Sequence, residues 1–181
     1  MGKCMPVFLW ASLSASAAGP IVSTAISGQD IVVESSVFLP IEPCQAYSML
    51  SDYAALPEFI PGLKESRSVR LSPNEASVVQ VGEVQVFIFT VRMESKLDMK
   101  ETPGKRIIFR QVSGDFASYG GEWDFLGVQG GTRVSYRARM TFKSYVPLTL
   151  AKSVLDEDVL KKFEAIEKEA ARKGGSLSCS G

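Results

Sequence analysis

The residue types that carry most enzyme chemistry are scarce in this chain of 181 residues, which has no histidine and three cysteines. Without histidine, Ser-His-Asp and Cys-His mechanisms are excluded, as are histidine-ligated zinc, haem and non-haem iron sites. Cys44 and Cys179 lie far apart without metal-ligand spacing, and Cys44 is predicted to be a small core or half-buried residue rather than a nucleophile. The sequence therefore predicts no metal site and no cofactor.

Tyrosine hydroxyls are the remaining candidates for chemistry. Tyr47, Tyr53, Tyr119 and Tyr136 each combine an apolar ring with a polar tip, and they could orient the polar head of a hydrophobic ligand. Acid–base catalysis would need a perturbed carboxylate or a Tyr–Arg pair aimed inward, and no inward-facing Asp or Glu pair is evident. We assign no catalytic residue, but an enzyme that uses tyrosine, arginine or Glu58 stays open as an alternative.

Residues 52–62, Asp-Tyr-Ala-Ala-Leu-Pro-Glu-Phe-Ile-Pro-Gly, place two prolines among large apolar side chains. Proline lacks an amide donor and disfavours helical geometry in the preceding residue, so Pro57 and Pro61 should end a short helix and bend the chain. So short a segment cannot be ordered by its own helical hydrogen bonds. We predict an apolar flap whose Phe59 and Ile60 dock at the mouth of a cavity.

The elements that must position these residues are strands followed by one long helix. Short turn sequences separate most of the strands, which indicates an antiparallel meander. Helical spacing of apolar residues after Pro43 predicts a helix between the first two strands, and Asp52 is a plausible cap for a second short helix. The predicted strands are 31–39, 65–71, 77–87, 89–101, 106–112, 119–126 and 132–142.

The last strand shows the clearest alternation of apolar and polar residues, so one of its faces is predicted to be buried and the other solvated. Its basic row is predicted to be solvated rather than an anion site, because Glu122 and Asp124 fall on the same face of the neighbouring strand. The residues predicted to point inward are Phe89, Val91, Met93, Ile107, Phe109, Gly121, Trp123, Phe125, Val134, Tyr136, Ala138, Met140 and Phe142.

A long helix follows the strands. Leu155, Val159 and Phe163 recur at helical intervals, and this apolar stripe should lie in the concavity of the sheet. Gly174 and Gly175 should end the helix, leaving 174–181 as a flexible tail. The fold class is therefore α+β, with a curved antiparallel sheet of about seven strands wrapped around the C-terminal helix.

Residues 1–17 have the pattern of a secretory signal, with Lys3 near the start, a short apolar stretch and small residues before a cleavage site after Ala17. The apolar stretch is too short to span a bilayer. We therefore expect a protein exported to the periplasm or secreted, with a polar linker at 18–30. Because Pro6 interrupts the apolar stretch, a cytosolic leader is the alternative.

The order of elements, together with the Asp52-Tyr53 pair, the Pro57-Glu-Phe-Ile-Pro61 turn and the Trp123-x-Phe125 strand, resembles the START-like (SRPBCC) superfamily. The resemblance is greatest to its polyketide cyclase/dehydrase and coenzyme Q-binding protein branch, and covers about 31–172. It implies a helix-grip fold in which a single domain, 31–173, encloses an apolar cavity for a lipid or other hydrophobic ligand.

The expected function is the binding or transfer of a hydrophobic small molecule such as a lipid, an isoprenoid quinone or a polyketide-like aromatic. The alternatives are a cyclase or dehydratase that uses the same cavity and a protein-interaction module. The 20 basic and 20 acidic side chains balance, which argues against nucleic acid as a partner, whereas transient membrane contact stays open. The predicted ligand-binding residues are Tyr47, Tyr53, Phe59, Ile60, Phe89, Met93, Phe109, Tyr119, Trp123, Tyr136, Met140, Leu155 and Val159.

Overall fold

Eight antiparallel strands form one sheet that wraps around a long C-terminal helix. The structure, a computed structural model, describes residues 19–143, 146–174 and 176–179, so the predicted signal at 1–17 lies outside the described residues. The elements are β1 (Ile21–Ser27), β2 (Asp30–Leu39), α1 (Pro43–Ser51), a 3₁₀ turn (Leu56–Glu58), β3 (Leu63–Ser72), β4 (Glu75–Val86), β5 (Phe89–Thr102), β6 (Arg106–Gly114), β7 (Phe116–Val128), β8 (Gly131–Phe142) and α2 (Leu148–Lys173).

The strand order in the sheet is β1-β2-β8-β7-β6-β5-β4-β3. The meander from β3 to β8 is thus extended by β2, which pairs with β8, and then by β1. Residues on the concave face pack against α2, whose Phe163 and Ile166 are almost fully buried. This arrangement confirms the predicted α+β helix-grip fold.

The predicted linker at 18–30 is wrong, because it contains strand β1. Ile21–Ser27 is rich in β-branched residues, and it pairs with β2 in unbroken register from Ile21 opposite Ser36 to Ser27 opposite Asp30. Gly28 provides the positive φ, 65°, in the turn between the two strands. The sheet therefore has eight strands instead of about seven.

The second predicted short helix is only a single 3₁₀ turn, Leu56–Glu58. Pro57 sits inside this turn, and the carbonyl of Leu56 accepts hydrogen bonds from the amides of Phe59 and Ile60. Pro61 follows the end of the turn, Glu58, by three residues, so the segment has no room for a longer helix.

The predicted flexible tail is also wrong for its described residues, because a disulfide joins Cys44 in α1 to Cys179. Their Cα atoms lie 5.2 Å apart. The Gln45 amide nitrogen donates to the carbonyl of Leu177 at 2.7 Å, and Leu177 packs against the core. The end of the chain is thereby held against α1.

The basic row of β8 faces solvent and forms ion pairs, as its alternation predicts. The guanidinium of Arg137 lies 2.8 Å from Glu34 and 3.8 Å from Glu122, and Arg139 lies 2.8 Å from Asp30. Arg137 and Arg139 are therefore each paired with a carboxylate.

Candidate functional site

A cavity of about 250 Å³ separates the concave face of the sheet from α2. Its wall is mostly apolar because the period-2 alternation of the strands and the apolar stripe of α2 both point into it. The lining residues are Val33, Leu50, Tyr53, Leu56, Ile60, Gly62, Leu63, Gln80, Gly82, Met93, Ser95, Leu97, Met99, Ile107, Phe109, Phe116, Tyr119, Trp123, Tyr136, Met140, Leu155, Asp158, Val159, Lys162, Phe163 and Ile166.

Aromatic rings cover one wall of the cavity. Trp123 stacks on Phe163 of α2 with ring centroids 5.6 Å apart, and Tyr136 stacks on Phe109 at 6.0 Å. Trp123 and Tyr136 are themselves neighbours, with a centroid distance of 4.5 Å. A wall of this kind presents flat, polarisable surfaces on which a planar ligand can stack.

Two tyrosine hydroxyls form the polar feature of that wall. The Oη atoms of Tyr119 and Tyr136 lie 3.1 Å apart and hydrogen-bond to each other, while both rings line the cavity. Burial raises the pKa of each phenol, that of Tyr136 well above 10.0. Both groups are therefore protonated at neutral pH, and the pair has one hydroxyl hydrogen free to donate to a ligand oxygen.

The mouth of the cavity is marked by lining residues that are partly exposed, Ile60, Gly62, Met93, Asp158 and Lys162 among them. The Lys162 ammonium lies 2.5 Å from the Asp158 carboxylate, so the charged groups at the mouth neutralise each other. Gly62 ends the flap at a φ of 77°, and its carbonyl accepts the Glu83 amide at 2.7 Å. An added Cβ there would lie 2.7 Å from the Glu83 carbonyl oxygen, so the flap needs glycine at this position.

A buried carboxylate, Glu101, binds three side chains behind the cavity wall. It accepts hydrogen bonds from the hydroxyls of Tyr47 at 2.6 Å and Tyr53 at 2.7 Å, and from the Arg70 guanidinium at 2.7 Å. Only 1% of the Glu101 side chain is exposed, whereas half of Arg70 is. The ring of Tyr53 lines the cavity, so this cluster fixes one of its walls.

The same cluster sets the protonation states of its members. Burial would raise the pKa of Glu101, but the hydrogen bonds from Arg70, Tyr47 and Tyr53 outweigh it and lower the pKa below 4.5. Burial, with a smaller contribution from Glu101, raises the pKa of Tyr47 to about 12. At neutral pH Glu101 is ionised and fully hydrogen-bonded, which suits a structural role rather than proton transfer.

A comparison with profiles of known families identifies the family of this chain. The profile of the family described as polyketide cyclase / dehydrase and lipid transport matches residues 39–166, from the end of β2 into α2. The chain belongs to this family. No curated protein matches the sequence.

Several solved structures share the fold of this chain. The Zhui aromatase/cyclase from Streptomyces sp. R1128 is 13% identical with a TM-score of 0.67, over 80% of this chain and 95% of that one. A STAR-related lipid transfer protein from Xanthomonas axonopodis is 13% identical with a TM-score of 0.66, over 83% and 98%. A START superfamily protein from Mycobacterium smegmatis is 16% identical with a TM-score of 0.67, over 78% and 97%. The solved structures thus confirm the predicted helix-grip fold, and the profile match confirms the predicted polyketide cyclase/dehydrase assignment.

Ten of the thirteen predicted ligand-binding residues line the cavity of this family member. The three that do not are Tyr47, Phe59 and Phe89. The ten are Tyr53, Ile60, Met93, Phe109, Tyr119, Trp123, Tyr136, Met140, Leu155 and Val159.

Tyr47 and Phe59 lie beside the cavity instead of in it. Tyr47 packs edge-on against Phe125 with ring centroids 5.8 Å apart, and its hydroxyl donates a hydrogen bond to Glu101. Phe59 packs under the Lys173 ammonium, 5.9 Å from the ring centroid, at the end of α2. Successive residues after a 3₁₀ turn point in different directions, so Ile60 lines the cavity while Phe59 packs near the end of α2.

Phe89 and Val91, predicted to point inward, are 68% and 39% exposed. They lie on the strand face of Met93, as the alternation requires, but no other described part of the chain reaches far enough to cover them. The predicted face is correct, and the predicted burial is wrong.

Sequence reasoning missed Glu101, Asp158 and Lys162. Glu101 follows Leu97 and Met99 at steps of two in β5, so the alternation already placed it on the buried face. Asp158 and Lys162 are spaced for an i,i+4 ion pair but flank the apolar stripe of α2, where a charged pair usually indicates a solvated face.

Neither a metal site nor a membrane-spanning helix is found in the described ranges. No group of three or more acidic or cysteine side chains could hold a metal ion there. Within the same ranges no helix is long and apolar enough to cross a membrane.

Proposed function

We propose that this protein binds a hydrophobic small molecule with a planar, oxygen-bearing head in the cavity between the sheet and α2. The observation that carries the proposal is the aromatic wall of Trp123, Tyr136, Phe109 and Phe163 with one free hydroxyl hydrogen in the Tyr119–Tyr136 pair. Stacking and apolar burial would supply affinity, and the hydroxyl would orient a carbonyl or hydroxyl oxygen of the ligand.

The size of the cavity narrows the ligand class. Ligand pockets commonly measure ~300–1,000 Å³, and this cavity of about 250 Å³ lies just below that range. A compact ring system fits inside, whereas an isoprenoid or acyl tail would extend through the mouth past Ile60 and Met93. A quinone head or a polyketide-like aromatic therefore suits the cavity better than a two-chain lipid does.

A cyclase-type enzyme is the second candidate, and the tyrosine pair is the observation that favours it. A protonated phenol facing a bound carbonyl could stabilise negative charge that develops on the oxygen. A base is harder to place, because Asp158 is held by Lys162 and Glu101 by three donors. Glu58 is exposed on the flap and does not line the cavity. We therefore place binding ahead of catalysis.

The proposed binding predicts that a short-chain quinone quenches the emission of Trp123. A chain starting at Ala18 lacks Trp10, so Trp123 is its only tryptophan. Val159→Phe should weaken quinone affinity at least about tenfold, because the larger ring grows into the cavity that Val159 lines. Val69→Phe, the same change at an exposed position of β3, should leave affinity within about twofold. The proposal fails if a panel of quinones, polycyclic aromatics and fatty acids leaves the emission unchanged.

We also propose that the protein works outside the cytosol. The Cys44–Cys179 disulfide supports this proposal, because such bonds form and persist in oxidising compartments. The signal-like pattern of residues 1–17 points the same way.

Export predicts that a periplasmic fraction contains a chain starting near Ala18 with no free thiol, since Cys4 is removed with the leader. Reducing the disulfide should lower the free energy of unfolding by about 2–4 kcal/mol, because the bond closes a loop of 135 residues. Denaturant unfolding of the Cys44→Ser, Cys179→Ser and doubly substituted chains checks this. The three should be equally destabilised, and intact Met1 on cytosolic protein with two free thiols in residues 18–181 would contradict export.

A further inference from the structure

The β4–β5 hairpin extends beyond the rest of the sheet. On its β4 side, pairing with β3 stops at Gly82 opposite Leu63, and on its β5 side, pairing with β6 starts only at Ser95 opposite Gly114. Residues 84–93 therefore form a two-stranded ribbon with no neighbouring strand on either side. Isolated hairpins of this kind are marginally stable in water.

The outer part of this hairpin is apolar and carries no charge. Phe87, Ile88 and Phe89 at its tip are 83%, 88% and 68% exposed, and they are consecutive in the sequence. Residues 84–91 contain only two polar side chains, Gln85 and Thr90, which hydrogen-bond to each other at 2.8 Å. Surface apolar residues are common when scattered singly, but three together at a protruding tip indicate an interaction surface for a membrane or another protein.

One face of the hairpin continues the cavity wall. Gly82 and Met93 line the cavity mouth and pair with each other, and the next pairs on the same face are Val84–Val91 and Val86–Phe89. All four of these outer residues are apolar. An apolar track therefore leads from the cavity mouth to the tip of the hairpin.

Charged residues reappear at the base of the hairpin. Glu83 lies opposite Arg92, and with Lys64, Glu65 and Arg67 they form a chain of ion pairs with separations of 2.5 to 3.6 Å. Glu83 is four residues from Phe87, so the tip lies about 13 Å beyond the charged row at roughly 3.3 Å per residue. Interfacial segments insert ~5–10 Å into the boundary between head groups and acyl chains. The uncharged length of about 13 Å exceeds this depth, so the tip can insert fully while the ion pairs stay among the head groups.

From these observations we propose that the tip of the β4–β5 hairpin inserts into the interfacial layer of a lipid bilayer. A bilayer fits the convex shape of the tip, which is exposed on all sides and offers a protein partner no concave surface. A second copy paired along the free strand edge would leave Phe87 and Ile88 in water. The insertion itself does not depend on the proposed cavity ligand, but it would bring the cavity mouth within reach of molecules dissolved in the bilayer.

The experiment is co-sedimentation of the chain starting at Ala18, which retains every described residue, with two vesicle preparations. One is pure phosphatidylcholine and the other is equal parts phosphatidylcholine and phosphatidylglycerol. Phe87→Asn/Ile88→Ser should reduce partitioning at least about tenfold, because it removes the two most exposed apolar side chains of the tip. Asparagine is chosen because Phe87 has a φ of 55°, which asparagine tolerates.

Val69→Ser/Leu71→Ser is the matched control, because it also removes two exposed apolar side chains (65% and 62% exposed), but from β3 outside the hairpin. It should leave partitioning within about twofold. The ion pairs at the base contain three cations and two carboxylates, so binding should depend only weakly on salt and on phosphatidylglycerol.

The tip variant should keep the quinone quenching of Trp123 in solution, which separates this inference from the cavity proposal. Three results would overturn the insertion: no partitioning of the unaltered chain into either vesicle, equal losses in the tip and control variants, or a dimer or protein complex that the tip variant dissolves while vesicle binding persists.

Discussion

Replacement of Glu101 by alanine should lower the free energy of unfolding by about 3–5 kcal/mol. The carboxylate accepts hydrogen bonds from the hydroxyls of Tyr47 and Tyr53 and from Arg70. Without it, two buried hydroxyls lose their acceptor, whereas the half-exposed Arg70 can be hydrated. Most of the loss therefore comes from the tyrosines and from the space that the side chain leaves.

Two further variants test this explanation by urea denaturation. Glu101→Gln keeps an acceptor oxygen for the tyrosines and should cost about 1–2 kcal/mol. Glu83→Ala removes a more exposed carboxylate that pairs with Lys64 and Arg92, and it should cost less than about 1 kcal/mol. Equal losses in Glu101→Ala and Glu83→Ala would show that the buried cluster contributes no more than a surface ion pair.

The pH dependence of stability follows from the same carboxylate. Its folded-state pKa lies below 4.5, so its contribution is present above the unfolded pKa and is lost as the pH falls through the folded value. Glu101→Gln should therefore flatten the acid limb of the stability curve. Some slope should remain, because hydrogen bonds from Arg172 lower the pKa of Glu169 to about 2.

Periodicity predicted the parts of this fold in which one face of an element is buried throughout. The alternation in β8 identifies the buried face of that strand, so Tyr136 and Met140 could be placed in the cavity wall from the sequence. The apolar stripe of α2 identifies the buried face of the helix and places Leu155 and Val159 in the same way. The same alternation gave Phe89 the correct face. The alternation could not predict that Phe89 is exposed, because the burial of a strand residue depends on how far the covering helix extends along the sheet.

The features that sequence reasoning missed depend on partners distant in the chain. Strand β1 is ordered by its pairing with β2, and its polar residues hide the pattern. The Cys44–Cys179 bond joins residues separated by 135 positions, and spacing alone carries no information about such pairs. Glu101 is predictable as inward-facing, but its function as an acceptor depends on Arg70, 31 residues away, and on two tyrosines about 50 residues away.

Gly121→Ala should lower the free energy of unfolding by about 3 kcal/mol, which corresponds to a melting temperature lower by roughly 6–12 °C. Gly121 faces inward on β7, opposite Ala138 of β8. A Cβ at this position would overlap the carbonyl oxygen of Arg137 and would lie 2.8 Å from Ala138 Cα and 2.9 Å from the ring of Phe109. Two of these neighbours are backbone atoms, so no change of rotamer relieves the overlap, and the strands must separate.

Gly82→Ala is the matched control, because it adds the same methyl group in strand β4 and its Cβ would meet only the Gly62 carbonyl oxygen, at 3.8 Å. Its melting temperature should stay at or slightly above that of the unaltered chain, since alanine loses less conformational freedom on folding. Phe109 lies on the cavity wall next to Gly121, so Gly121→Ala should also weaken the quenching of Trp123 by quinone. Equal melting temperatures for Gly121→Ala and Gly82→Ala would show that the close approach of β7 and β8 is not required for stability.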